Sequence, residues 1–295
     1  MKTVDVGYLD PKGDICTFGY QALQTFFNHN NRDYRDKPKP VSFNTHHKIC
    51  VAVGSMKITY GVVAIENVID GVVAETVRAI ESIDSHLGLK ICGEVTVPIE
   101  LFFMSKNGKN DTPKRLLSHQ VALGQCSRFV STLRERGTVV ETRGSTGQAA
   151  KEASEDPETS ALASRLALKN YKLQTIENDS VVDHKNSVTR FWVLGKQHAQ
   201  KSEKDKTCFL VNLKQSAMGV LHKTLGVFAK QDISVLLVYP SPILGKQWEY
   251  TFLIEVSGYI TDEKMDKAWD EFRSLGISLQ PMHFLGSYPD ATSSK

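Results

Sequence analysis

The sequence predicts an α/β protein with a mostly parallel sheet, followed by a separate ferredoxin-like plait. Three observations carry this reading. Strand-like and helix-like segments alternate from the N-terminus to about Leu194. A Lys- and Gln-rich run without apolar periodicity, Lys196 to Lys206, then interrupts them and reads as a linker. Beyond it the order becomes βαββαβ, which is the plait arrangement.

Taken in order, Val4 to Leu9 is a β-rich run ended by the turn cluster Asp10-Pro11-Lys12-Gly13. Phe18, Ala22, Leu23, Phe26 and Phe27 follow helical spacing, and the polar stretch Asn28 to Pro40 reads as a loop. Ile58 to Ile65 is continuously apolar, the pattern of a strand covered on both faces. Gly71 to Ile83 reads as a helix with Val73, Val77, Ala79, Ile80 and Ile83 inward. Val95 to Phe103 and Arg115 to Ser118 read as strands, Gln120 to Arg136 as a helix and Thr138 to Glu141 as a strand. Another helix starts near Ser145. Asp156-Pro157 reads as the N-cap and first residue of the next, which ends near Tyr171. Leu173 to Ile176 and Thr189 to Leu194 close this part as strands.

In the second part, Cys208 to Leu213 is a strand and Met218 to Lys230 a helix built on Val220, Leu221, Leu225 and Phe228. Ile233 to Tyr239 and Trp248 to Val256 are strands, Asp262 to Leu275 a helix and Leu279 to Leu285 the last strand.

Composition narrows the function classes. The chain has 295 residues, enough for about two domains, and 41% of them are apolar, as in a folded globular protein. A net charge of +3 gives no reason to expect nucleic acid or an acidic membrane as partner. No apolar run approaches the ~20 residues of a membrane span. The opening Met1-Lys2-Thr3-Val4-Asp5-Val6 reads as a first strand, not a signal peptide. The five cysteines form no C-x-x-C pair. They read as reduced thiols in a cytoplasmic protein, without a metal site.

Three junctions in the first part place small polar residues between a strand and a helix. They are Ile65-Glu66-Asn67 before Gly71, Leu117-Ser118-His119 before Gln120, and Gly144-Ser145-Thr146 before Gly147. Ligands of open α/β sheets bind at the carboxyl ends of strands, where helix N-termini favour anions. A small anionic ligand is therefore expected, although such residues also cap helices without any ligand. Nucleophile-elbow, Walker and dinucleotide-binding glycine motifs are absent from the sequence. His46-His47 reads as a surface pair, and His119 as a local hydrogen-bonding group. Gln125 lies on the Gln120 helix beside Ala122. Arg190, in the polar cluster Asn186 to Phe191, is of a type that clamps carboxylates bidentately or joins a surface ion pair.

These motifs resemble, in order and over nearly the whole chain, those of the prephenate dehydratase family. Tyr60 to Asn67 with Gly71, Val73 and Thr76 resembles its Glu-Asn segment. Ser118-His119 with Ala122-Leu123 and Gln125-Cys126 resembles its Ser-His helix. Ser145-Thr146 with Ala149-Ala150 resembles its third segment, and Thr189-Arg190-Phe191 its Thr-Arg-Phe motif. The plait, ending in Leu285-Gly286-Ser287-Tyr288-Pro289, resembles the family's ACT domain.

The resemblance implies a bilobal dehydratase domain, akin to type II periplasmic binding proteins, over residues 1–196, with a second lobe at about 99–176. It implies a linker at 197–206, an ACT regulatory domain at 207–290, and a homodimer or homotetramer. The implied activity is conversion of prephenate to phenylpyruvate in phenylalanine biosynthesis, with no cofactor because aromatisation drives the reaction. Thr189 is implied as the catalytic donor. Glu66, Asn67, Ser118, Gln125, Ser145, Thr146, Arg190 and Phe191 are implied to bind substrate, with Arg190 on the carboxylate side. Arogenate as substrate, decarboxylation without aromatisation, and a non-catalytic binding role stay open as alternatives.

The chain departs from the family at Val68, where a serine is usual, at Gln120-Val121, where Pro-Gln is usual, and over two longer stretches. The family's usual first motif, Tyr-Leu-Gly-Pro-Glu-Gly-Thr-Phe-Ser, is replaced by Tyr8-Leu9-Asp10-Pro11-Lys12-Gly13-Asp14-Ile15-Cys16, which adds carboxylates near a dianion. The effector positions of the plait are Gly219, Val220, Leu221 and His222, with Tyr239 and Ser241 where Glu-Ser-Arg-Pro is usual. The charged pair that would hold an amino acid is gone, so weak or absent phenylalanine feedback is expected.

Overall fold

The computed structural model describes residues 2–10, 15–28, 36–109, 112–214, 218–279 and 282–292. The first lobe is built on β1 (Thr3–Leu9), β2 (Lys37–Phe43), β3 (Tyr60–Asn67), β5 (Lys90–Pro98) and β11 (Val188–Gly195), in the order β2-β1-β3-β11-β5. The short β4 (Gly71–Val72) pairs with the end of β3. β1 runs parallel to β2 and β3, while β11 runs antiparallel to β3 and β5. Helices α1 (Phe18–Asn28), α2 (His46–Gly54) and α3 (Ala74–Glu81) belong to this lobe.

The second lobe carries β6 (Phe102–Ser105), β7 (Arg115–His119), β8 (Val139–Arg143), β9 (Thr159–Ala163) and β10 (Gln174–Thr175), in the order β10-β6-β9-β7-β8. Its helices are α4 (Gln120–Gln125), α5 (Ser127–Glu135), α6 (Thr146–Glu155) and α7 (Arg165–Tyr171). The chain leaves the first sheet after β5 and returns to it at β11. The two crossings are neighbours, because Val188 pairs with Pro98 and Ile99 N donates to Ser187 O at 2.8 Å. Two adjacent crossings between two open sheets make this part of the chain a bilobal α/β unit.

The third sheet contains β12 (Asp205–Asn212), β13 (Val235–Pro242), β14 (Tyr250–Ser257) and β15 (His283–Pro289), in the antiparallel order β13-β14-β12-β15. Helices α8 (Val220–Ala229) and α9 (Glu263–Ser274) cover one face, burying Val227, Phe228, Trp269 and Phe272. The other face packs on the first lobe. Leu210, Leu253, Leu285 and Tyr288 share one core with Ile49, Ile65, Ile80 and Trp192. Gly286 has φ +155°, and a Cβ there would stand 2.3 Å from Ile91 O on β5. Only glycine permits so close an approach of plait to lobe.

Six readings of the sequence change here. The two sheets of the first part are mixed and not mostly parallel, because β4, β6, β10 and β11 run antiparallel to their neighbours. Lys37-Pro38-Lys39-Pro40 is part of a strand, because β2 lies at the sheet edge, where prolines without N–H are tolerated. Val95 to Phe103 is two strands in different lobes, interrupted where the chain crosses between sheets. Gln120 to Arg136 is two helices broken at Cys126, where Asp183 accepts from Ser127 N at 2.8 Å and Arg128 N at 3.2 Å. Asp156 caps a turn through Glu158 N and Thr159 Oγ1, and the buried strand β9 follows it in place of a helix. The strand-to-helix junction after Asn67 is not direct, since β4 intervenes before α3.

Candidate active site

A cavity of about 490 Å³ lies between the lobes. From the first lobe it is lined by Thr17, Phe18, His46, Val62, Ala64, Asn67, Asp70, Thr189 and Phe191, among others. From the second lobe come His119, Val121, Ala122, Gln125, Gly144, Ser145 and Thr146.

A register shift aims the strand residues. Thr189 pairs with Asn67 and Arg190 with Glu66, but Phe191 pairs with Ala64, so β3 carries one extra residue. The bulge resets the alternation of side chains. Val62, Ala64 and Asn67 consequently all face the cavity despite the odd spacing of the last two.

Asn67 is fully engaged. Its Oδ1 accepts from Ile69 N at 2.8 Å and Asp70 N at 3.1 Å. Its Nδ2 donates to Thr189 Oγ1 at 2.9 Å and Ser187 Oγ at 3.3 Å. The two backbone donors fix which end of the amide is oxygen. Thr189 Oγ1 is therefore the acceptor, and among the described residues no acceptor takes its own hydrogen. That hydrogen is available to whatever fills the cavity.

The second lobe supplies helix starts. Ser145 caps α6 through Gln148 N at 3.0 Å, and the first turn of α6 carries no acidic residue. His119 caps α4, its Nδ1 accepting from Val121 N at 3.3 Å, which leaves Nε2 as the protonated nitrogen. Gln125 Nε2 reaches across the cleft to Asp70 Oδ2 at 3.1 Å.

Three candidates stand elsewhere. Ser118 is fully buried, and its hydroxyl donates to Leu162 O at 2.7 Å within the second sheet. Glu66 and Arg190 lie on the face of the first sheet turned away from the cavity, one residue out of phase with Asn67 and Thr189. Arg190 bonds Glu66, Glu94 and Glu255, and is not a clamp for a ligand in the cleft. Lys206 also reaches Glu94, at 3.0 Å. Burial pushes the Glu94 carboxyl up, and Arg190 and Lys206 draw it back. Burial and the Glu255 charge hold Tyr288 far above the usual phenol range, so it donates to Glu255 Oε1, at 2.5 Å.

His46 corrects the surface reading. It is 3% exposed and lines the cavity, because Thr45 caps α2 and turns its first residue inward. His47, by contrast, is exposed beside Ser82. Asp10 is buried and does not line the cavity, while Lys12 and Asp14 lie outside the described residues.

The proposed effector positions are not gathered into one site within the chain. Tyr239 packs toward the first lobe, and Ser241 donates to Glu81 Oε2 of α3 at 2.7 Å. Val220 and Leu221 pack among the helices on the opposite face of the plait. His222 is exposed on α8, and Gly219, at φ +66°, precedes that helix. A bulge between Val235 and Leu237 sets which residues of β13 face the first lobe.

Residues 6–199 match the family model for prephenate dehydratase. The chain belongs to the prephenate dehydratase family. It is 31% identical over 297 residues to the bifunctional chorismate mutase/prephenate dehydratase of Aquifex aeolicus, covering 98% of this chain and 75% of that protein. It is 27% identical to the prephenate dehydratase of Bacillus subtilis, covering 96% and 98% of the two chains. The fold matches that of the prephenate dehydratase from Arthrobacter aurescens, solved in complex with L-Phe, with TM-score 0.81 and 24% identity over 99% of this chain and 92% of that one. The cleft residues Asn67 and Thr189 both fall inside the segment that matches the prephenate dehydratase model.

Proposed function

We propose that the protein is a lyase that converts prephenate to phenylpyruvate, carbon dioxide and water. The observation that carries this reading is the Thr189 hydroxyl. Asn67 fills its acceptor position and leaves its hydrogen free in a cavity walled by Val62, Ala64, Val72, Ile99 and Phe191. In the reaction the bond from the ring to its carboxylate breaks, and its electron pair enters the ring as CO2 departs. The double bonds shift, and the far C–O bond breaks. The hydroxyl leaves as water after gaining one proton. A preorganised hydrogen bond from Thr189 stabilises charge on that oxygen as the bond breaks. The start of α6, with Ser145 and Thr146, offers donors and a partial positive charge to a carboxylate. Gln125, tied to Asp70 across the cleft, holds the lobes around the substrate.

Asp70 supports a second reading. Its carboxylate lines the cavity and suits the ammonium group of arogenate. Separate incubation with prephenate and arogenate at neutral pH, with chromatography of the products, decides between them. Phenylpyruvate from prephenate, absent in a Thr189→Val variant, supports the first reading. Phenylalanine from arogenate with prephenate untouched supports the second, and no turnover of either overturns both.

The plait serves, in this reading, as an ACT-type regulatory domain docked on the catalytic lobe. Five buried cysteines, none in a disulfide, suit a reducing, cytoplasmic compartment. Exposed Met218, Leu244 and Trp248 on the plait support contact with a second copy in a homodimer or homotetramer.

A further inference from the structure

Prephenate carries two carboxylates, yet the described residues lining the cavity include no lysine or arginine. Among the described lining residues, the histidines are the side chains that can supply a countercharge. His46 has the geometry for it. Its Nδ1 lies 2.8 Å from Thr76 Oγ1, and that hydroxyl lies 2.5 Å from Ala64 O. A hydroxyl has one hydrogen, and two oxygens that close need it between them. Thr76 therefore donates to Ala64 O and accepts from His46 Nδ1–H. The tautomer is set by this partner, as it is for histidines held by second groups in general. Thr76 is fully buried behind the ring, and Nε2 has no partner among the described residues. The ring's remaining nitrogen is thus left to the cavity that His46 lines.

We propose that His46 receives a carboxylate of the substrate as an imidazolium, taking up a proton from solvent as the dianion binds and returning it on release. The inference rests on the prephenate reading and adds to it the residue that meets the anion. Burial holds the imidazole below its usual range, and the Glu75 charge on α3 opposes this. Val62, Ala64 and Phe191, which line the cavity from β3 and β11, are uncharged. His47, next on the same helix, bonds Ser82 outside the cavity. A bound carboxylate reverses the balance, because an opposite charge within hydrogen-bonding reach favours the charged ring.

The test is calorimetric titration with prephenate in two buffers of different ionisation enthalpy, at mildly alkaline pH, on the full chain carrying Thr189→Val to stop turnover. Uptake approaching one proton per bound molecule is expected. A further His46→Asn change keeps a donor toward Thr76 and removes Nε2. It should abolish the uptake and weaken binding at least tenfold, while His119→Gln keeps the uptake. Phenylpyruvate formation by the unmodified chain is measured alongside. Turnover with no uptake, or uptake unchanged in the His46→Asn form, overturns the role of His46 and leaves the reaction standing. Uptake that depends on His46, without phenylpyruvate, supports that role and overturns the reaction. Absence of binding overturns both.

Discussion

Arg190 Nη1 lies 2.7 Å and 2.8 Å from the two carboxylate oxygens of Glu255, which joins the first lobe to the plait. The preceding residue, Thr189, faces the cavity from the same strand. One residue of β11 thus serves the cleft and the next serves the junction, because side chains alternate along a strand. With Glu94 and Lys206 this is a buried ionic network. Removing one member of a buried pair costs about 3–5 kcal/mol, since a charge is left without its partner. Arg190→Met is expected to lower stability in urea unfolding by that amount. Pairing it with Glu255→Leu should recover part of the loss, and a full-sized loss in the double variant would place the effect in packing instead of charge.

Thr189→Val should lower kcat for prephenate by about 10²–10⁴-fold, the range for loss of an acid group in a transition state. KM should stay near the parent value, because the hydrogen bond strengthens only as the oxygen departs. Asn67→Ala should give a smaller loss, since it frees the hydroxyl to rotate without removing it. Steady-state kinetics separates the two. An equal loss in KM for Thr189→Val would contradict the assignment.

Glu81 makes stability depend on pH. Burial raises its carboxyl above the usual range, and the Ser241 hydrogen bond and Arg78 only partly offset this. A raised acid costs the folded state nothing while both states are protonated. The cost appears as pH rises through the unfolded value, and is complete above the folded one. Glu81→Gln, which can still accept from Ser241, should therefore raise the melting temperature at neutral pH. The gain should vanish below about pH 4. Thermal unfolding across that range checks the sign.

Phenylalanine should leave the rate with prephenate unchanged at millimolar concentration. Tyr239 and Ser241 face the first lobe, while Val220 and Leu221 lie on the other side of the plait. Rate assays and calorimetry with the full chain check this. Inhibition in the micromolar range would show that an effector site forms by other means.

Much of the alternation of elements and the order of the plait were legible because both rest on local periodicity and turn chemistry, whereas β2, α2 and β9 were not. Asn67, Thr189 and Phe191 were legible as motif residues, and the structure brings all three to one cavity. The side assigned to Arg190 was not legible. A strand residue faces one way or the other, and the bulge opposite it in β3 is a property of pairing that the sequence does not print. His46 was missed for a related reason. Thr45, a good N-cap, was the available signal for α2, but the short run after it looked like a polar surface. The crossing at Pro98 to Leu101 was hidden inside one apolar run, because strands of either lobe are equally buried.

By itself, then, the sequence determined the α/β class, much of the alternation of its elements, the second unit and the chemical types at the cleft. These follow from spacing, caps and turn residues, which act over a few neighbours. Only the tertiary structure decided that Arg190 works between lobe and plait, that Ser118 is a sheet bond, and that His46 meets the cavity. Those outcomes depend on register and on which faces pack together. Both are set by partners many residues away: Arg190 meets Glu255 across 65 positions, and His46 meets Thr76 across 30.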